Sequence, residues 1–219
     1  YLKELGLSLS KIKYHLNTLN LSSIVDSLEY QNKIIEEKIN ELKLIQQKIN
    51  KKIFQIQDAV QLDFLDQIRE IDFEQRCVIE YKENISYKGV ELLVRKLAKV
   101  SEYKVSLTYG DVGISISKDN LKNKIYTEYN RAFVIVEEGQ YEKNIVKVFP
   151  KSKYLSIRYN GYHKDAPKYY KKLDEYIIKN NYEIIDDSIE IQLVDPSLIT
   201  CESEMVSEIQ IPVRSRLYD

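Results

Sequence analysis

An unbroken helical run constrains this chain more than any other feature. Between Leu28 and Val60 there is no Gly or Pro, and Ile35, Ile39, Leu42, Ile45, Ile49, Ile53, Ile56 and Val60 recur at steps of 4, 3, 3, 4, 4, 3 and 4. Steps of three and four keep apolar side chains in one stripe along an α-helix. Lys, Glu, Gln and Asn fill the positions between, with Glu29 and Lys33 four apart in the favourable order. At 1.5 Å per residue the helix is roughly 45–50 Å long. It overhangs any domain this chain can build, so its stripe needs a partner. Pairing with a second copy predicts a homodimeric coiled coil through residues 28–60. The other solution is a long helix folded back on its own domain.

The flanking regions differ in character. Residues 1 to about 25 read as two short helical pieces. Leu2 and Leu5 share a face and Gly6 supplies a stop; Ser8 caps a second piece carrying Leu9, Ile12 and Leu16. Lys11 stands where a capping box would place Glu. The acid-rich stretch 61–74 lacks a periodic run and reads as a hinge. Beyond it, strands are predicted at Cys77–Tyr81, Val105–Tyr109, Val112–Ile116, Ala132–Val136, Ile145–Phe149 and Tyr154–Tyr159. One helix opens at Ser86, with Val90, Leu93, Leu97 and Val100 on a face. A second is capped by Asp165, with Pro167 in its first turn and Ala166, Tyr170, Leu173 and Ile177 as its stripe. Gly110 and Gly113 read as bends or bulges, and Glu138-Gly139 as a turn. The order strand, helix, strand, strand occurs twice, over Cys77–Val136 and Tyr154–Val213, each about sixty residues. The fold class is therefore α+β: N-terminal helices, a long dimerising helix and a duplicated βαββ domain with a cleft between its halves.

The tail supplies the candidate site. Ser188-Ile-Glu-Ile-Gln-Leu-Val-Asp-Pro196 and Ser207-Glu-Ile-Gln-Ile-Pro-Val213 each place a carboxylate and a Gln two apart, hence on one face of a strand. Glu190 and Gln192 share a face, as do Glu208 and Gln210, while Ile189, Ile191, Leu193, Ile209 and Ile211 take the other. Two such strands either aim their acids at one space, as a receptor for a cation, or present solvated faces of an ordinary sheet.

Charge is balanced, with 33 basic and 34 acidic side chains, so no global field draws the chain to nucleic acid or to an anionic membrane. Cys77 and Cys201 match no metal or redox spacing and suit free thiols in a reducing cytoplasm. No apolar run approaches a membrane span. Among catalytic patterns there is no Ser-His-Asp set, metal cluster or phosphate loop, and the two histidines stand apart, His15 in the N-terminal helix and His163 beside the Gly161 turn, read as exposed. Neither cofactor nor metal is implied. The first residue is Tyr1 within a helical pattern, which predicts a piece of a longer protein.

Several motifs in order resemble one family. Leu2-Lys-Glu-Leu-Gly-Leu-Ser-Leu-Ser-Lys-Ile12 resembles the segment that follows the wing in MerR-type transcription regulators, and the 28–60 helix stands where they carry a dimerisation helix. Residues from about 75 to 219 resemble the GyrI-like effector-binding domain of the multidrug-sensing branch, the BmrR type. The carriers are Tyr154-Leu-Ser-Ile-Arg-Tyr-Asn-Gly-Tyr162, the segment Tyr170 to Tyr182, and the two tail strands. Departures are Gln192 in place of an aromatic, Leu7 in place of Phe, Ser10-Lys11 in place of two Glu, and a helix-turn-helix and wing that would lie upstream.

The resemblance implies a division into 1–25 as the remnant of a DNA-binding domain, 26–62 as the coiled-coil helix, 63–74 as the hinge and 75–219 as the effector-binding domain. It implies a ligand-responsive regulator of the multidrug-sensing type, acting on promoter DNA as a dimer through a segment upstream of Tyr1, with a small cationic or amphipathic effector. Glu190 becomes the counter-charge for that effector, or else pairs internally with an Arg or a tyrosine hydroxyl. Glu208 is a second acid, and Gln192 and Gln210 are polar neighbours. Tyr109, Tyr154, Tyr159 and Tyr162 supply ring faces, and Phe133 lies in the pocket wall or the core. Two other readings stay open: a GyrI-like hydrolase in which Glu190 activates water, and a partner-binding protein that reads no DNA.

Overall fold

The computed structural model describes residues 9, 13, 21–100, 111–139, 141–194 and 201–216. The predicted strand at 105–109, with Tyr109, and nearly all of the 1–25 segment lie outside the described residues. The chain divides into two units, Tyr1–Lys52 and Ile53–Asp219.

The first unit is dominated by helix α1 (Leu21–Ala59), which starts earlier than the stripe alone indicated. Ile35, Ile39, Leu42 and Ile49 of the stripe are solvent-exposed, as are Val25, Tyr30 and Leu44.

The second unit begins in the last turns of α1. Ala59 is buried there with Val194 and Val206, against Ile56 and Leu65. Its sheet has nine antiparallel strands: β1 (Ile68–Phe73), β2 (Arg76–Ser86), β3 (Val112–Ser115), β4 (Glu128–Val136), β5 (Lys147–Phe149), β6 (Ser152–Asn160), β7 (Tyr182–Ile184), β8 (Ile189–Val194) and β9 (Val206–Ser215). The order is β1-β6-β9-β8-β3-β4-β2-β5, with β7 added on β9. Helix α2 (Val90–Val100) follows β2, a short α3 (Lys118–Lys122) precedes β4, and α4 (Ala166–Lys179) follows β6. The two layout repeats, β2-α2-β3-β4 and β6-α4-β8-β9, meet where Gly113 of β3 pairs with Ile191 of β8.

Alternation in the strands sorts side chains to two faces. On one, Leu93 and Leu97 of α2 and Tyr170, Leu173 and Ile177 of α4 pack on Ile79, Ile114, Val134, Leu155, Ile157, Ile209 and Ile211. The spacings of those helix residues are the three-and-four steps that make a helix amphipathic. On the opposite face a second cluster holds Val78, Phe133, Phe149, Tyr154, Ile189 and Ile191.

Four local expectations are revised. The 61–74 stretch is not only a hinge: β1 lies in it as an edge strand on β6, its Ile68, Ile71 and Phe73 hidden among acids. Asp165 stands at the N-cap of α4 as expected but makes no side-chain capping bond; its carboxylate accepts the Tyr162 N–H at 3.2 Å, bridging the turn at Gly161. Gly113 is no bulge but a close approach. A Cβ there would lie 2.3 Å from Phe133 Cζ and 2.8 Å from the Glu190 carbonyl oxygen. His163 is half-buried rather than exposed.

Candidate functional site

Glu190 comes from the middle of β8, where it pairs with Ile209 on one side and Ile114 on the other, so it shares their helix-covered face. It is 4% exposed. Three tyrosine hydroxyls donate to it: Tyr129 at 3.0 Å and Tyr170 at 3.3 Å to Oε2, and Tyr159 at 3.4 Å to Oε1. Each comes from a different element, β4, α4 and β6. Ser188 extends the network: its Oγ lies 2.9 Å from the Tyr170 hydroxyl and accepts the Ile116 N–H at 3.0 Å. Rings close the sides. Tyr126 stacks on Tyr170 at 5.6 Å and Tyr169 stacks on Tyr159 at 4.1 Å.

Among the described residues no Lys, Arg or His forms an ion pair with Glu190. Burial therefore dominates its titration and pushes the carboxyl up to about 8, although the three hydroxyl donors pull the other way. The tyrosines are raised in turn by burial and by the nearby carboxylate, so they remain donors. The arrangement is an aromatic-walled position in which, among the described residues, the carboxyl when ionised has no counter-ion. A matching cation relieves that cost.

The predicted residues separate into two groups. Because Glu190 pairs with Ile209, and Ile191 with Glu208, the acids of β8 and β9 point to opposite faces. The common space expected for Glu190 and Glu208 does not exist. Each strand's alternation was read correctly, but their relative phase places Ile209 and Ile211 with Glu190. Glu208 and Gln210 face the other way with Ser156 and Arg158. Glu208 Oε1 accepts from Ser156 Oγ and from Gln210 Nε2, both at 2.8 Å, and Oε2 accepts from Arg158 Nε at 2.6 Å. Tyr154 and Phe133 are on that face too, buried in its apolar cluster. Gln192 is half-buried, with Nε2 unpartnered. Tyr162 is half-buried at the turn, its ring 3.8 Å from that of His163. Of the aromatic candidates, Tyr159 alone among the described residues bonds Glu190.

Tyr129, Tyr170 and Ser188 were missed. Tyr170 had been found as part of a buried helical stripe, which gives no hint of its hydroxyl's partner. Tyr129 reaches Glu190 from the part of β4 where its pairing with β2 shifts, between Lys82 and Ile85. Across that bulge Tyr129 joins the helix-side core, although Arg131 two residues on faces the opposite way.

Fold and sequence together define an α+β domain of the small-molecule binding kind, preceded in the chain by a long helix. Residues 66–214 match the GyrI-like small molecule binding domain, and the chain belongs to that family. It is 24% identical over 215 residues to the multidrug-efflux transporter 2 regulator of Bacillus subtilis (strain 168), covering 97% of this chain and 77% of that relative. The EcmrR C-terminal domain superposes with a TM-score of 0.54 at 16% identity, covering 68% of this chain and 98% of that one. EcmrR in its DNA complex gives a TM-score of 0.52 at 16% identity, over 98% of this chain and 80% of that one. The β8–β9 signature and the order of motifs identified in the sequence agree with this family and with its α+β fold. Among the described residues no helix is long and apolar enough to cross a membrane.

Proposed function

We propose that the chain is the sensing and dimerising part of a MerR-type transcription regulator of the multidrug-responsive kind, not an enzyme. Its effector is a lipophilic cation received at Glu190 between the rings of Tyr129, Tyr159 and Tyr170. One observation carries this reading: Glu190 is buried among three tyrosine hydroxyls and, among the described residues, has no cation beside it. The exposed apolar stripe of α1 supports homodimer formation, since β-branched side chains in such numbers are costly to leave in water. Promoter DNA is contacted by a segment N-terminal to the described residues, and the effector acts by binding one conformation of the dimer better than another. The regulator role of the Bacillus relative agrees with this assignment.

The test is a thermal-shift and calorimetric titration with lipophilic cations, neutral drugs and anionic metabolites, using Glu190→Gln in parallel. A cation at about a hundred times its Kd stabilises the fold by about 2.7 kcal/mol. Binding to ionised Glu190 expels the proton held there, so affinity tightens up to about tenfold per pH unit towards about 8. Loss of both the cation preference and the pH dependence in Glu190→Gln is the expected outcome. Equal affinity in the variant would remove Glu190 from the site.

A further inference from the structure

The face opposite Glu190 carries a second polar system whose charges are unevenly served. The curl of the sheet brings β1 and β2, far apart in strand order, over the same stretch of β9. Arg76 of β2 donates from Nη1 to Gln210 Oε1 at 2.7 Å. Arg69 of β1 places Nη2 4.0 Å from Glu208 Oε2, beyond hydrogen-bond length. Glu208 already accepts from Ser156, Gln210 and Arg158, and at 4.0 Å it gives Arg69 an ion pair but no hydrogen bond.

What remains is alike in the two arginines. In each, Nε and Nη2 are buried and, among the described residues, without a hydrogen-bond partner. Those two atoms form the side-on edge of a guanidinium, the fork whose parallel N–H bonds match the two oxygens of a carboxylate. Other arginines of this face are better provided. Arg158 holds Glu208 and Asp58, and Arg131 holds Glu80 and Asp187, lacking an acceptor only at Nε. Both free forks are held in place by rings: Arg69 lies 4.6 Å over Phe64, and Arg76 lies 4.6 Å over Phe73 and 5.1 Å from Tyr154. The three guanidiniums of Arg69, Arg76 and Arg158 have the two carboxylates of Glu208 and Asp58 among them, leaving positive charge in excess. Arg69 retains 24% of its side chain in contact with solvent, although its Nε and Nη2 are themselves buried, so an anion reaches the fork only as the side chain swings outward. A buried donor without an acceptor is costly, more so when charged.

We propose that Arg69 and Arg76 form a second ligand site, for a small oxyanion of the carboxylate or phosphate type, on the face of the sheet opposite Glu190. The anion accepts from the side-on edges of the guanidiniums and supplies the missing negative charge. The site is independent of whatever binds at Glu190.

The experiment titrates the whole chain with sodium acetate and with sodium phosphate against sodium chloride at matched ionic strength, following melting temperature and the line width of 13C-labelled acetate. A saturable rise in melting temperature and saturable line broadening are expected with at least one oxyanion. The effect should survive in Glu190→Gln and weaken by roughly tenfold or more in Arg69→Lys and Arg76→Lys, which keep charge but lose the fork. Phenylglyoxal labelling of the unmodified chain, read by peptide mass spectrometry, gives a second measure that needs no folded variant: the oxyanion should protect Arg69 and Arg76. Absence of a saturable response to either oxyanion, or protection no greater at these arginines than elsewhere, overturns the site.

Discussion

Arg158 and Tyr159 are neighbours on β6 that point to opposite faces of the sheet, and each holds a carboxylate from a different strand. Tyr159 donates to Glu190 on β8 at 3.4 Å, and Arg158 binds Glu208 on β9 at 2.6 Å. Arg158 also reaches the end of α1, with Nη1 on the Asp58 carbonyl at 3.0 Å and Nη2 on its carboxylate at 2.6 Å. A cation at the C-terminal end of a helix is favourably placed. One peptide unit thus joins the candidate effector position to the anchor of the long helix.

Removing that anchor should be expensive. Arg158→Met takes the hydrogen-bonded cation from the buried carboxylate of Glu208 and leaves it only Arg69 at 4.0 Å, and we expect a loss of about 3 kcal/mol in urea unfolding. Amide exchange in the last turn of α1 should accelerate in the same variant. A loss under about 1 kcal/mol would mean the pair behaves as a surface bridge.

The Glu190 carboxyl is raised from 4.5 to about 8, so the folded state keeps a proton that the unfolded chain gives up. Stability from this group is therefore complete below the unfolded value and declines as pH rises between about 4.5 and 8. Glu190→Gln removes the decline. Its melting temperature should exceed that of the parent chain at pH near 8 by more than at pH near 4.5, as read in scans across that range. A constant difference would show that the carboxyl titrates normally.

His163 behaves in the opposite sense. Burial holds its imidazole at about 4 instead of 6.5, so the unfolded chain takes up a proton the folded one refuses. Acidification from 6.5 towards 4 then destabilises the fold. His163→Gln should flatten that limb of the stability profile, and the imidazole proton shifts of the parent chain should titrate well below the ordinary range.

Gly113→Ala tests the crossing of the two repeats. The new methyl meets the Phe133 ring and the Glu190 backbone oxygen, and only the ring can yield. We expect a cost of about 1–3 kcal/mol, with Phe133→Leu restoring part of it. Full restoration would show that the Glu190 strand moves freely.

Much of this architecture is legible in local pattern, and what escaped depends on distance along the chain. The three-and-four steps of Ile35 to Val60, of Val90 to Leu97 and of Tyr170 to Ile177 each announce a helix with a buried or paired side. The alternation of Glu190 and Gln192 announces a strand equally well. Whether Glu190 and Glu208 meet depends on which residue of β9 sits beside Glu190. That phase is set by the whole sheet and leaves no trace in either segment. Tyr129 was hidden for a related reason: alternation from Arg131 along β4 would put it on the other face, and the departure comes where the pairing with β2 is irregular. β1 was hidden by its pattern: Arg69, Glu70 and Asp72 fall among Ile68, Ile71 and Phe73 so that strict alternation is broken.

The bulge in β2 has an effect out of proportion to its size. Three steps on β2, from Lys82 to Ile85, match two on β4, from Arg131 to Tyr129. Regular alternation along β4 would put Tyr129 on the side of Arg131 and Asn130 on that of Glu190, yet beside the bulge Tyr129 lies in the helix-side core and Arg131 on the other face. Which side chain meets the carboxylate is thus a matter of phase as much as of residue type, and a strand that keeps its letters but shifts its count by one turns a different surface toward its neighbours.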